Sequence, residues 1–298
     1  MKKVFISADI EGTAFAATWD STHIGGHDYE RNRQEMTNEV LAAAEGAHAA
    51  GAELVVVKDA HGPGINIYPE QMPEYVQLIR GWTFEPRCMV EGIDESFDAA
   101  VYVGYHNAAG QEGNVLSHTI AGGVVQEIRV NGQIASEFLI YSYMAAYYGV
   151  PSVLLTGDKT LCEQSQPLHP KLLTVAVKDD FGGHNQGLST KLACKKIREA
   201  AEAACKQELS GAKITLPDHF AVQITFKDIF LRFPHFIHLL SLLLIRLYRL
   251  HITLPGNPHG RSDRNRFCIC FYILATRSAS LPICRNQLHT VIFINMIT

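Results

Sequence analysis

Short apolar runs that end on an acid or a histidine constrain this chain more than any other feature of its sequence. Asp9-Ile10-Glu11-Gly12 follows the run 4–8, and Asp59-Ala60-His61-Gly62 follows 54–57. Gly104-Tyr105-His106 follows 99–103, and Ser117-His118-Thr119 and Glu137 come next, around a predicted hairpin. In an open α/β sheet the loops at the carboxyl ends of the strands converge on one crevice, where ligands bind. Carboxylates and imidazoles gathered there have the donor chemistry of a hydrolytic zinc centre.

The segments between these runs complete an alternating pattern. Residues 29–50 are rich in Glu, Ala, Met and Leu and stop at Gly51, which predicts a helix. Strands are expected at 2–8, 53–58, 76–79, 99–103, 152–155 and 172–177, and further helices at 137–148 and 188–209. Residues 84–97 are mixed. Asn131-Gly132, set between 127–130 and 133–136, is a strong hairpin signal because both central residues of a type I′ turn need positive φ. Strands alternating with helices place the chain in the α/β class: a mostly parallel sheet flanked by helices, with a β-hairpin insertion.

With 298 residues the chain has length for one large α/β domain or two smaller ones. A net charge of −4 excludes the strongly basic character of a nucleic-acid binder. The seven cysteines lack paired metal spacing, and Cys268-Ile269-Cys270 is too close for a zinc knuckle, which points to a reduced chain. Lys2 and Lys3 precede an apolar run that Asp9 interrupts, too short for a signal-peptide core, so a cytoplasmic protein is expected.

The charge balance breaks near residue 228. Residues 1–227 carry a net −10, whereas 228–298 hold eight arginines against Asp228 and Asp263. Lys227 is the last lysine and Glu208 the last glutamate. This divides the chain into a domain at 1–228 and an atypical basic and apolar tail at 229–298, expected to be frame-shifted or disordered. The abrupt loss of both residue types is what a shifted reading frame would produce, and the tail lacks the periodicity of a packed domain. Its apolar run 236–245 is about half the length of a membrane span, so membrane association is not expected beyond an interfacial segment.

Each chemical motif has a plainer alternative. Asp9 and Glu11 point to the same side of an extended backbone, and an acid pair after a strand is often only a solvated loop end. Asp59 is expected either to support His61 or to cap a turn beside a surface histidine. A single His106 after small apolar residues would usually be a satisfied interior residue, and His118 has the setting of a base or nucleophile. Together, at successive strand ends, they make a site. His23, His27, His48, His169, His184 and His219 lack that context and are expected at the surface. A rival reading starts from Asp9-Ile10-Glu11-Gly12-Thr13, which is close to the Asp-x-Asp-Gly-Thr signature of magnesium-dependent haloacid-dehalogenase-type phosphatases. Lys178-Asp179-Asp180 would supply that family's later lysine and acidic pair, but its chemistry leaves the histidines without a task.

In order and spacing, Asp9-x-Glu11-Gly12, Asp59-x-His61-Gly62, Gly104-Tyr105-His106, Ser117-His118-Thr119 and Glu137 resemble the DppA-type D-aminopeptidases of the M55 metallopeptidase family, over roughly residues 2–228. The resemblance implies two zinc ions per chain, with Asp9 bridging and Glu11, His61, His106 and Glu137 completing the ligands. It implies His118 as the catalytic residue, acting as nucleophile or general base. It also implies release of N-terminal D-amino acids such as D-alanine from short peptides, and homo-oligomeric rings, a decamer, enclosing the active sites. Two departures stand out. Ser136-Glu137 replaces the usual Gly-Glu, and Tyr141 stands near a position commonly occupied by Asn. The tail, unlike the family's continuation past residue 228, raises a further alternative: a catalytically silent, truncated remnant.

Overall fold

The computed structural model describes residues 2–83, 87–169, 171–209 and 211–227, and the backbone of two strands at 273–276 and 289–294. Six strands form a parallel sheet: β1 (Lys3–Ala8), β2 (Leu54–Asp59), β3 (Val76–Ile79), β4 (Ala99–Tyr105), β7 (Ser152–Asp158) and β8 (Leu173–Lys178). Their spatial order is β3-β2-β1-β4-β7-β8. The chain builds outward from β1 in one direction, then crosses to β4 and builds outward in the other. The switch therefore lies between β1 and β4, where Ala8 is paired with Val103.

Alternation along β1 explains the layers. Val4, Ile6 and Ala8 face a core formed with α1 (Tyr29–Ala49) and α4 (Thr190–Lys206), while Phe5 joins the core on the other face, with α2 (Glu137–Tyr147). Both cores are built of buried apolar side chains, as expected for a parallel sheet covered on both sides. Gly46 marks the contact of α1 with α4, since a Cβ there would lie 2.3 Å from the carbonyl oxygen of Arg198.

The hairpin forms as its turn residues require. Asn131 has φ 51° and Gly132 φ 82°, joining β5 (Val125–Val130) to β6 (Gln133–Ile134). It does not join the parallel sheet. β5 pairs antiparallel with β9 (Phe220–Phe226), and the second sheet has the order β10-β11-β9-β5-β6, with β10 at Ile273–Thr276 and β11 at His289–Ile294. Among the described elements not expected from the sequence are β9, β10, β11 and α3 (Lys159–Ser165). α3 starts where Asp158 ends β7 and accepts the Leu161 N–H at 2.8 Å, an N-cap contributed by the last residue of a strand.

One expectation is corrected. His169 is buried at 3% exposure rather than lying at the surface, against the Phe138 ring, and burial pulls its imidazole down to about 4. Sequence context misled because the polar turn before it folds onto α2. The apolar run 236–245 lies outside the described residues. No helix among the described residues is long and apolar enough to cross a membrane.

Candidate active site

Five of the expected site residues follow strand ends or open the helix after the hairpin, and local structure aims each inward. Asp9 leaves β1 with its N–H on the Val103 carbonyl at 2.8 Å. The next turn passes so close to β4 that a Cβ on Gly12 would meet the Tyr105 carbonyl oxygen at 1.8 Å. At Gly104, φ is +69° and a Cβ would lie 2.3 Å from the Asp9 carbonyl oxygen, so glycine is required there on both counts. His106 follows at once, because β4 runs two residues longer than its apolar core predicts.

His61 sits in a loop organised by Asp59. The Asp59 carboxylate accepts the backbone N–H groups of Asn66 and Ile67, at 2.5 and 2.8 Å, and the Asn66 side chain at 2.7 Å. That same Asn66 amide donates to the His61 carbonyl at 2.8 Å. Asp59 thus supports the His61 backbone through Asn66 and does not touch the imidazole. Glu137 opens α2, capped by Ser136, whose Oγ accepts the Leu139 N–H at 3.2 Å. Serine in place of the family's glycine therefore serves the helix terminus, where the Glu137 carboxylate is also favoured by the helix dipole. His118 is flanked by two anchored residues: Ser117 Oγ donates to the Asn114 carbonyl, and Thr119 Oγ1 donates to the Ala135 carbonyl and accepts the Ala109 N–H.

The three imidazoles share one arrangement. His61 Nε2 lies 2.8 Å from the Thr22 carbonyl, His106 Nδ1 2.9 Å from that of Asn107, and His118 Nδ1 2.9 Å from that of Leu116. A carbonyl only accepts, so each of these nitrogens carries its proton. The other nitrogen of each ring faces carboxylates. His61 Nδ1 is 3.2 Å from Asp9 Oδ1 and 3.0 Å from Glu11 Oε2. His106 Nε2 is 3.4 Å from Asp9 Oδ2 and 3.3 Å from Glu137 Oε2, and His118 Nε2 is 3.6 Å from Glu137 Oε1. The His106 and His118 rings stack with centroids 4.1 Å apart.

Asp9 Oδ2, Glu11 Oε2 and His106 Nε2 are buried and without hydrogen-bond partners. Each such orphan costs about 1–3 kcal/mol, more when charged, against a net domain stability of about 5–15 kcal/mol. A cation placed among them removes that cost. In each of two groups, Asp9, Glu11 and His61, and His106, His118 and Glu137, the donor atoms lie within 4.8 Å of one another. Nitrogen and oxygen donors, with each histidine anchored through its far nitrogen to a carbonyl, fit zinc.

Electrostatics in the absence of metal follow from the same contacts. Burial alone would lower the imidazoles, but the facing carboxylates outweigh it and hold His61 and His106 well above their ordinary range. Burial would raise Glu11, yet the facing His61 holds it well below the usual carboxylate range, and His106 likewise lowers Glu137. Asp9 goes the other way, pushed up by burial and by neighbouring Glu11.

The donors open on a cleft of about 720 Å³, also lined by Trp19, His23, Trp82, Met89, Ile120, Tyr141 and Lys227. Trp19 packs edge-on against His118 at 5.1 Å, and the Ile120 N–H donates to Glu137 Oε1 at 2.6 Å. Tyr141, in α2, is the position the sequence marks as a departure from the family pattern, whereas Trp19, Trp82, Met89, Ile120 and Lys227 have no sequence signal of their own. Lys178 does not take the role a phosphatase would give it. Its ammonium donates to the Glu11 and Ala16 carbonyls, both at 2.7 Å, and pairs with Asp180, while Asp179 pairs with Lys159.

Comparisons with known proteins agree with this geometry. The profile of the M55 peptidase family, described as D-aminopeptidase, matches residues 1–231. A D-aminopeptidase of Bacillus subtilis (strain 168) is 30% identical over 227 residues, 76% of this chain and 82% of the relative. The solved structure described as the Zn-dependent D-aminopeptidase DppA from Bacillus subtilis, a self-compartmentalizing protease, is similar with a TM-score of 0.70. It is 29% identical, covering 76% of this chain and 82% of that one. The chain belongs to the M55 peptidase family of D-aminopeptidases.

Proposed function

We propose that this chain is a zinc-dependent aminopeptidase that releases N-terminal D-amino acids, such as D-alanine, from short peptides. In this reading Asp9, Glu11, His61, His106 and Glu137 hold two zinc ions, and His118 is the catalytic residue. The observation that carries it is the shared anchoring of the imidazoles, each fixed to a backbone carbonyl with its free nitrogen turned toward buried carboxylates. Family membership supports the reaction and the preference for D residues, which no donor set encodes.

Zinc bound there would supply Lewis acidity, polarising the scissile carbonyl and countering the charge that develops on its oxygen. Glu11 and His61 form one set of donors, His106 and Glu137 the other, and Asp9 turns one oxygen toward each. His118 is 13% exposed at its side chain and lines the cleft, whereas His106 is fully buried and does not. The Leu116 carbonyl fixes the His118 tautomer and leaves the Nε2 lone pair free for either role. It can attack the carbonyl carbon, the C–N bond breaking as the amine takes a proton from water, whose hydroxide then hydrolyses the acyl-imidazole, or it can take a proton from the attacking water and pass it to the leaving amine. Glu137, beside that nitrogen, stabilises the imidazolium that either role produces. Trp19 limits how far the ring can turn.

The reading carries further expectations. The relative described as self-compartmentalizing supports a homo-oligomer whose sites face an enclosed space, and the family resemblance makes a ring of ten the expected stoichiometry. The free cysteines Cys162, Cys194 and Cys205 support a reduced, cytoplasmic setting. Residues 1–228 are the catalytic unit, and 229–298 a tail of different character whose frame-shifted origin accounts for its composition. The test is zinc content and hydrolysis of D-Ala-D-Ala against L-Ala-L-Ala, in the parent and in His106→Ala. Close to two zinc ions, D-selective hydrolysis and loss of both in the variant are expected. A folded parent that takes up no zinc would refute the reading.

A further inference from the structure

Lys227 follows directly on β9, and its side chain lines the same cleft as the donor cluster. Its backbone N–H donates to the Val124 carbonyl at 2.9 Å, and its ammonium to the Gly122 carbonyl at 2.7 Å. Gly122 in turn packs on the catalytic histidine: a Cβ there would lie 3.2 Å from His118 Cβ and 3.4 Å from the Trp19 ring. The ammonium is thus held by the loop residue that rests on His118.

Among the described residues lining the cleft, Lys227 is the one lysine or arginine, and its ammonium makes no ion pair with a described carboxylate. An ammonium has three N–H donors, and the Gly122 carbonyl takes one of them. The cleft therefore carries both signs of charge. Asp9, Glu11 and Glu137 are buried in its lining, and the exposed Lys227 lines it as well.

A short free peptide carries the complementary pair of charges, with an ammonium at one end and a carboxylate at the other. Each extended residue spans about 3.3–3.6 Å, so the ends of a dipeptide or tripeptide lie roughly 7–11 Å apart. A cleft of about 720 Å³ is large enough to enclose such a ligand whole.

We propose that Lys227 binds the C-terminal carboxylate of the peptide, making the enzyme selective for short peptides with a free C-terminus. This deepens the D-aminopeptidase reading above and rests on it. Lys227 is a specificity residue in this account, and the reacting atoms belong to the donor cluster and His118. A hydrogen bond to a charged group at a part-desolvated site corresponds to a preference of roughly 10- to 100-fold. A merely structural role is the competing account: Lys227 would hold Gly122, and through it His118, and its loss would slow every substrate alike.

The two accounts separate on a ratio. With the zinc-loaded full chain, kcat/KM is measured for D-Ala-D-Ala and for its C-terminal amide, in the parent, Lys227→Met and Lys227→Arg. The parent should prefer the free acid by roughly 10- to 100-fold. Lys227→Met should bring the ratio close to one, mainly through a higher KM for the acid, and Lys227→Arg should restore most of it. A parent without the preference, or a Lys227→Met enzyme that keeps it, overturns the assignment, and the parent's own ratio decides even if the Met variant fails to fold. A parent that hydrolyses neither substrate overturns the peptidase reading, and the role of Lys227 falls with it.

Discussion

Asp9 and His106 face each other across the switch point of the sheet, with Oδ2 3.4 Å from Nε2 and neither atom hydrogen-bonded. One residue follows β1 and the other β4, the adjacent strands from which the chain builds outward in opposite directions. Two buried polar atoms that approach without bonding are costly unless a third body joins them. The following predictions come from that relationship and its surroundings.

Asp9→Asn should empty the site without unfolding the chain. The amide keeps the shape of the carboxylate but removes the charge that both donor groups share. Zinc per chain should fall from about two to less than one, and kcat by at least about a hundredfold. Metal analysis of the purified variant checks this, and parental zinc content would show that Asp9 is not a ligand.

His118→Ala separates chemistry from binding. If His118 carries the proton or the attack, kcat should drop by about 10²–10⁴-fold while zinc stays near two per chain. Because His118 also stands within reach of the His106 and Glu137 donors, the alternative outcome is specific: loss of one zinc would make it a ligand.

The stabilisation conferred by zinc should grow with pH. In the metal-free chain His61 and His106 are held above 6.5, so their contribution is complete below about pH 6.5 and is lost as pH rises through the folded values. Glu11 and Glu137 are held below 4.5, so theirs is complete above that and lost as pH falls through the folded values. These groups favour the metal-free fold most between the two limits. Above them, zinc takes the place of the imidazole protons. The rise in Tm on adding zinc should be larger near pH 8 than near pH 6, and a shift that shrinks with pH would contradict this.

Gly104→Ala tests the scaffold rather than a donor. Its φ of +69° and the 2.3 Å approach to the Asp9 carbonyl oxygen leave no room for a methyl group. The variant should lose zinc affinity and several degrees of Tm together, since β1 and β4 must part at the point where Asp9 and His106 meet. Parental affinity would mean that the two strand ends move independently of the site.

Much of this protein is legible without coordinates. The runs that became β1, β2 and β4 read as buried strands, Asn131-Gly132 as a turn, and Gly51 as a helix stop, because these are nearest-neighbour properties of the backbone. The residues following those strands, Asp9, Glu11, His61 and His106, could be grouped because parallel strands deliver their carboxyl ends to one edge. What tertiary structure alone decided depends on partners far apart in the chain. β9 draws the hairpin out of the parallel sheet and carries Lys227 to the cleft, and His169 is buried against Phe138 by the fold of a polar turn. Thr22, Asn107 and Leu116 offer the carbonyls that orient the imidazoles. A backbone carbonyl has no residue type to announce it. Its role is set by where the chain brings it, and that is determined by long-range packing rather than by local pattern.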